Sequence, residues 1–197
     1  MRSSLSICHA PETEDSEHWL SPVDLLTQLA IQPGMVIADI GAGNAFYSLP
    51  ISDLVGPSGQ VFAVEWRPWV LDLLHAGLSS PDARRNVRFV VGRAADTGLP
   101  AGSCDIVMLA DIWHTLDDPD AVLDEARRIL RPGGRLAVLN WRPDTLCPPG
   151  PPLEHRVPMQ PTICAIEMKS WSLINVAGKY ADGYLLIFEI TDESAQS

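Results

Sequence analysis

The most constraining feature of the sequence is an alternation of short apolar runs with helical segments, which begins at Ser21. Each run is too short for a buried helix and is apolar on both faces, so it predicts a strand that is covered on both sides. Strands and helices that alternate along a chain form a parallel sheet with helices packed against it. Five such runs are present, at residues 35–40, 61–65, 87–91, 106–111 and 136–141.

Apolar residues at helical spacing between these runs predict crossover helices. The first helix starts at Ser21 and ends before Pro33. A second is expected at residues 68–77, and a third at residues 119–130, before a Pro-Gly-Gly turn. The pattern therefore predicts helices between consecutive parallel strands.

The rest of the chain predicts a loop, two more strands and two irregular ends. Seven prolines within residues 143–161 predict a long ordered loop. Final strands are expected at residues 171–176 and 184–190. The length suits one domain with short appendages. The predicted units are an N-terminal arm or lid at 1–20, a domain at 21–190 and a flexible tail at 191–197.

Composition narrows the function classes. With 14 Lys and Arg against 25 Asp and Glu, the net charge of −11 argues against a nucleic-acid partner. No apolar run approaches the roughly 18 residues of a membrane helix, and the N-terminus lacks an apolar signal core, so we expect a cytoplasmic protein. Four widely spaced cysteines without a CxxC pair predict neither a metal site nor disulfides. Thiol-dependent metalloid chemistry at Cys147 and Cys164 is the alternative interpretation.

A glycine-rich loop, residues 39–46 (DIGAGNAF), follows the first predicted strand. Gly41 and Gly43 allow the backbone to turn sharply and to approach a ligand closely. Glu65, at the end of the second strand, is placed to accept hydrogen bonds from both hydroxyls of a ribose. The loop and the distal acid together predict an adenosine-containing cofactor.

The loop departs from a dinucleotide-binding fingerprint. Phe46 occupies the position where a third glycine lets a pyrophosphate approach the helix N-terminus. A ligand with an amino-acid moiety fits better, because Asp39 can lie near a positively charged amine or sulfonium. Asn44 is expected to cap the next helix, which Pro50 either kinks or delays.

Residues 39–45 (DIGAGNA) resemble motif I of the class I S-adenosylmethionine-dependent methyltransferases. Residues 86–105 are similar to the family's third strand and adenine loop, and residues 129–139 to its Pro-Gly-Gly turn and fifth strand. The small ubiquinone/menaquinone-methyltransferase-like group is the most similar, because a proline-rich tail like residues 150–156 follows strand five. The resemblance covers about residues 18–190. It implies a Rossmann-like, doubly wound seven-stranded sheet, mostly parallel with an antiparallel last strand, and helices on both faces.

The resemblance also implies S-adenosyl-L-methionine as cofactor, S-adenosyl-L-homocysteine as product and a small-molecule acceptor; it leaves a homodimer open. One departure concerns the adenine loop, where Arg93 replaces the usual acid. Either Asp96 substitutes, the backbone of Ala94 suffices, or cofactor affinity is reduced. The implied cofactor-binding residues are Asp39, Gly41, Gly43, Asn44, Glu65, Trp66, Ala94, Asp96 and Asp111.

Residues just after the fourth strand face the transferable methyl group in this family. His114 is therefore the candidate catalytic base, although it could instead shape the pocket. Candidate substrate residues are Trp113, His155 and Arg156, of which Arg156 either grips an anionic group or pins the loop to the sheet. Trp69 either flanks the adenine together with Trp66 or packs in the core.

The leading hypothesis is an S-adenosylmethionine-dependent methyltransferase with an unidentified acceptor; quinone-like, small-metabolite and thiol or metalloid acceptors stay open. An NAD(P)-dependent oxidoreductase is disfavoured by Phe46 and by the absence of a Tyr-x-x-x-Lys pair. A cofactor-binding but inactive regulatory or partner protein is the other alternative, and Arg93 lends it support.

Overall fold

Seven strands form a single sheet in the computed structural model, which describes residues 26–70, 72, 86–144, 151–179 and 183–191. Their order across the sheet is β3-β2-β1-β4-β5-β7-β6. The strands are β1 (Val36–Ile40), β2 (Gln60–Glu65), β3 (Val87–Val91), β4 (Cys104–Ala110), β5 (Leu130–Trp141), β6 (Trp171–Lys179) and β7 (Gly183–Ile190).

Strands β1 to β5 pair in parallel, and β7 pairs antiparallel with both β5 and β6. The predicted fold class is therefore confirmed, including the antiparallel last strand. Ile40 at the end of β1 is in register with Val64 of β2 and with Leu109 of β4. The strand order reverses between β1 and β4, and in doubly wound sheets such a switch point creates a crevice for ligands beyond the strand ends.

Helices cover both faces of the sheet, because each face carries its own apolar cluster. The helices are α1 (Ser48–Val55), α2 (Pro119–Ile129) and α3 (Met159–Glu167). Ile51 and Val55 of α1 belong to one buried cluster with Leu26 and Leu29. Side chains of α2 and α3 belong to the cluster on the other face. The sheet thus becomes the buried middle layer that its apolar strands predict.

Several boundaries differ from the sequence prediction, among them the starts of α3, β4 and β5. Helix α3 starts at Met159, inside the expected proline-rich loop, and Pro161 fits its first turn because no intrahelical partner exists there for a backbone N–H. Strand β4 starts at Cys104, and β5 extends back to Leu130 through an irregularity in their pairing. The loop prediction was therefore wrong for the last residues of its range.

Several predicted segments lie largely outside the described residues. These are the arm at 1–20, the start of the first helix, most of the helix at 68–77, and the tail beyond residue 191. Cys104 is buried, as a structural thiol would be, and Cys164 is exposed. No helix in the described part of the chain is long and apolar enough to cross a membrane.

Candidate cofactor and substrate site

The glycine loop makes a tight turn at the end of β1. Gly41 has a φ of +78°, and its backbone N–H donates to the carbonyl of Val64 at 2.8 Å. A Cβ at position 41 would lie 2.5 Å from Cγ2 of Ile112, so the turn needs glycine for both conformation and space. Gly43 also has a positive φ, and its N–H donates to Oε2 of Glu65 at 3.2 Å. The loop therefore links β1 directly to the acid at the end of β2.

The helix after the loop starts later than the sequence suggests. Helix α1 begins at Ser48, and Tyr47 occupies its N-cap position without a side-chain cap. The expectation that Asn44 caps the helix was therefore wrong; its Oδ1 instead accepts a hydrogen bond from Phe46 N–H within the turn. Pro50 is the third residue of α1, where its missing N–H costs no helical hydrogen bond, so the predicted delay is confirmed.

Glu65 is 2% exposed, yet it is ionised more readily than a free glutamate. Burial acts to raise its pKa, but hydrogen bonds and charge from Arg67, with a smaller contribution from the Gly43 N–H, lower it on balance. The carboxylate and the Arg67 guanidinium form an ion pair at 2.8 Å. A charged hydrogen-bond acceptor is thus fixed where the sequence predicts contact with ribose.

Two exposed indoles flank this ion pair. Trp66 is 60% exposed and Trp69 is 55% exposed, so Trp69 is not a core residue. The Arg67 guanidinium carbon lies 5.9 Å from the ring centroid of Trp66 and 5.7 Å from that of Trp69. These distances are within the range of cation–π contacts. The predicted contact of Trp66 with adenine stays a prediction.

Two carboxylates lie at neighbouring strand ends: Asp39 is buried near the end of β1, and Asp111, which directly follows β4, is partly exposed. Burial raises the pKa of Asp39 to about 6, against the lowering effect of hydrogen bonds from Ser48, whose hydroxyl donates at 2.5 Å. Burial raises the pKa of Asp111 to about 7, although the Trp141 side chain donates a hydrogen bond to it. Asp111 also has a φ of +56°, a conformation that places a non-glycine residue under strain.

The two carboxylates belong to one electrostatic cluster. Burial and then the charges of Asp111 and Asp39 raise the pKa of Tyr47, which places its hydroxyl near both acids. Within the described residues, neither acid forms an ion pair with a cationic side chain. Buried negative charge without a counter-charge is costly, so this cluster is suited to a cationic ligand group.

Helix α2 anchors the loop that follows β3. Arg93 and Asp96 exchange two backbone hydrogen bonds, of 3.0 and 3.1 Å, around a two-residue turn that contains Ala94. Next to this turn, Glu125 of α2 accepts hydrogen bonds from both the N–H and the hydroxyl of Thr97. The side chains of Arg93 and Asp96 are both exposed, and Ala94 is partly buried. The structure thus fixes the backbone of Ala94, which is one of the predicted substitutes for the missing acid.

His114 lies on a short 3-10 helix after β4, close to His155 from the proline-rich segment. Their ring centroids are 6.3 Å apart, and the ring planes differ by 22°. Burial, followed by the charge of His155, lowers the pKa of His114, so its imidazole is neutral at physiological pH. The predicted base and one predicted substrate residue therefore meet.

The other two predicted substrate residues occupy structural positions. Trp113 is buried in the apolar cluster that includes residues of α2, which favours a packing role over substrate contact. Arg156 is also buried, and it donates to the carbonyls of Pro151 and Arg142 while lying 5.4 Å from the Trp141 ring centroid. Of the two roles predicted for Arg156, these contacts favour pinning of the loop over an anion-binding role.

Sequence reasoning missed four residues that shape the site. Tyr47 and Ser48 reach Asp39 only because α1 starts late, and Trp141 reaches Asp111 across two neighbouring strands. A sequence signal exists for Arg67, because an arginine two residues after a buried glutamate can fold back onto it.

A family profile described as "Methyltransferase domain" matches residues 38–138, slightly more than half of the 197 residues. The chain belongs to this methyltransferase family. The match includes β2, β3 and β4 and most of β1 and β5, and it contains Asp39, Glu65 and Asp111.

Proteins similar to this methyltransferase domain include demethylmenaquinone methyltransferase of Lactococcus lactis subsp. lactis. It is 28% identical over 130 residues, 66% of this chain and 51% of that protein. The ubiquinone/menaquinone biosynthesis C-methyltransferase of Hahella chejuensis is 33% identical over 115 residues, 58% of this chain and 46% of that protein. The chain therefore spans about half the length of these curated relatives.

A solved structure of a SAM-dependent methyltransferase from Aquifex aeolicus resembles the whole fold. Its TM-score is 0.78 at 23% sequence identity, and the match covers 89% of this chain and 93% of that chain. This likeness shows that the methyltransferase domain has the family's three-layer architecture.

The substitution Gly41→Ala tests whether the turn after β1 needs glycine for both conformation and space. Gly133→Ala is the matched control, because Gly133 has nearly the same φ of +76° but nothing within 4 Å of an added Cβ. Both variants should lose about 1–2 kcal/mol of unfolding free energy from the left-handed backbone. The clash with Ile112 should cost Gly41→Ala about 1–3 kcal/mol more in urea denaturation. This excess should disappear in an Ile112→Ala background; equal losses for the two glycines would contradict the packing argument.

The burial of Asp39 predicts a pH-dependent stability. Its folded pKa of about 6 lies above the ordinary value of 3.8, so the folded state binds the proton more tightly, and this stabilising contribution is lost as the pH rises through about 6. From about pH 5 to about pH 8, the wild type should lose about 1 kcal/mol of unfolding free energy relative to Asp39→Asn. Comparing the two proteins cancels the titration of groups outside this cluster, such as His114. A pH-independent difference would show that Asp39 titrates normally.

Proposed function

We propose that this methyltransferase domain binds S-adenosyl-L-methionine at the ends of β1, β2 and β4 and transfers its methyl group to a small-molecule acceptor. The observation that carries the proposal is a pair of carboxylates, the buried Asp39 and the partly exposed Asp111, which form no ion pair with a cationic side chain within the described residues. The methionine end of the cofactor carries two cationic groups, the α-ammonium and the sulfonium, beside one carboxylate, and these cations can supply the counter-charge that this cluster lacks.

Each part of the site is suited to a different part of the cofactor. Glu65 is a charged acceptor at the end of β2, which suits the two neutral hydroxyls of a ribose. At Gly43 an added Cβ would meet only the Gly41 carbonyl oxygen, at 3.8 Å, so the loop backbone there is open to close approach of a ligand. The fixed turn at Ala94 offers backbone groups to the adenine edge, while the exposed Asp96 stays the alternative.

When bound, the cofactor supplies a sulfonium methyl group with an excellent leaving group, so alignment and exclusion of water provide much of the rate. His114 lies just beyond β4 and is neutral at physiological pH, so its imidazole can accept a proton from an acidic acceptor group. His155 lies against it and is the second residue proposed to contact the acceptor. The base role of His114 stays a prediction.

Among the acceptors left open by the sequence, we place quinone-like compounds first, because the names of the two curated relatives described above refer to quinones. The oxidoreductase and the inactive partner protein gain no support from the comparisons. A cytoplasmic location and a homodimer stay expectations from the sequence.

The cofactor proposal is tested by titrating S-adenosyl-L-homocysteine into the wild type and into Glu65→Ala by calorimetry. The variant should bind at least about tenfold more weakly, a loss of roughly 1.4 kcal/mol, because two ribose hydrogen bonds disappear. Glu167→Ala removes an exposed carboxylate at the end of α3 and should leave the affinity unchanged. Equal affinity of Glu65→Ala and the wild type would remove the ribose assignment.

A further inference from the structure

We infer that Arg67 sets the cofactor affinity of this protein by occupying the position on Glu65 that the ribose hydroxyls require. The inference rests on the proposed function, because it assumes that a ribose binds Glu65. It concerns a residue on the adenosine side of the site, away from the methyl group.

The hydrogen-bonding capacity of Glu65 is already full. Its Oε1 accepts from the backbone N–H of Arg67 at 3.0 Å and from Nε of the same residue at 2.8 Å. Its Oε2 accepts from the N–H of Gly43 at 3.2 Å and from Nη2 of Arg67 at 3.1 Å. A carboxylate offers about four lone-pair positions, so two incoming hydroxyls must displace two existing donors.

Only two of the four donors can leave without moving the backbone. The N–H groups of Gly43 and Arg67 belong to the turns that follow β1 and β2. The other two donors belong to one guanidinium group, whose side chain is 38% exposed. Water can replace the hydrogen bonds of an exposed guanidinium, whereas the 2% exposed Glu65 cannot turn outward as easily. The Arg67 side chain is therefore the group that the ribose displaces.

The neighbouring indoles can hold the guanidinium by cation–π contacts after it leaves Glu65. Trp66 and Trp69 are both more than half exposed, and the guanidinium carbon of Arg67 already lies within 6 Å of both ring centroids. These contacts do not involve Glu65, so the guanidinium can leave the carboxylate and stay against an aromatic ring. The free-energy cost of displacing the guanidinium is then the loss of its ion pair with Glu65 alone.

The competition predicts the direction of a mutational effect. Arg67→Met keeps an unbranched apolar stem but removes both side-chain donors, which raises the free energy of the cofactor-free state and not that of the bound state. S-adenosyl-L-homocysteine should therefore bind about threefold to tenfold more tightly, the range expected for a charged hydrogen-bond pair with a part-exposed partner. Arg67→Lys keeps the charge but loses the bidentate geometry of the guanidinium. Its affinity for S-adenosyl-L-homocysteine should therefore lie between those of the wild type and Arg67→Met.

The experiment is calorimetric titration of S-adenosyl-L-homocysteine into the wild type, both Arg67 variants, and Arg67→Met in a Glu65→Ala background. Arg131→Met is the matched control, because Arg131 is 41% exposed and forms an ion pair of 2.8 Å with Asp105 at the start of β4. The control should bind like the wild type. The gain from Arg67→Met should vanish without Glu65, and the ligand-induced rise in melting temperature should be larger for Arg67→Met than for the wild type.

The outcomes distinguish failure of the proposed function from failure of the Arg67 displacement. If the wild type does not bind S-adenosyl-L-homocysteine, the proposed function fails, and the displacement fails with it. If the wild type binds and Glu65→Ala weakens binding, but Arg67→Met binds equally or more weakly, only the displacement is overturned. Weaker binding would mean that Arg67 holds Glu65 in position for the ribose. Tighter binding that persists without Glu65 would also overturn the displacement.

Discussion

The central physical constraint of this site is a pair of carboxylates, the buried Asp39 and the partly exposed Asp111, that form no ion pair with a cationic side chain among the described residues. Asp39 lies near the end of β1 and Asp111 directly follows β4, on the two sides of the topological switch point, and the parallel pairing of these strands brings their ends together. Burial raises the pKa of both groups, which is the measure of what their ionisation costs the folded protein. The hydroxyl of Ser48 and the indole of Trp141 relieve only part of this cost.

The third acid of the site is in the opposite electrostatic state. Glu65 is as deeply buried as Asp39, but Arg67 neutralises it and the balance of effects lowers its pKa. The site therefore offers uncompensated charge at β1 and β4 and compensated charge at β2. This asymmetry matches a ligand that is cationic at one end and carries neutral hydroxyls at the other. It also explains why the adenosine side carries a displaceable group, whereas no described cation occupies the amino-acid side.

Much of the fold was predictable, because strands buried on both faces leave short apolar runs in the sequence. The position of Glu65 followed from the end of such a run. Helix α3 was missed because prolines usually interrupt helices, and only its exact start shows that Pro161 lies in the tolerant first turn. Trp113 was predicted as a substrate residue from its position after β4, and the burial of its indole in the core favours a packing role that this position does not reveal. Contacts between side chains of different elements, such as Asp111 with Trp141, leave no sequence pattern of this kind.

The central claim is that a cationic ligand group supplies the missing counter-charge to Asp39 and Asp111. It is tested most directly by counting protons when S-adenosyl-L-homocysteine binds. Calorimetric titrations at about pH 6.5, in two buffers of different ionisation enthalpy, give the number of protons exchanged. The α-ammonium group is the cation that S-adenosyl-L-homocysteine carries at this pH, and it should lower the pKa of both carboxyls, so binding should release protons to the buffer and Asp111→Asn should reduce the number released. Binding without proton release, or with proton uptake, would contradict the account.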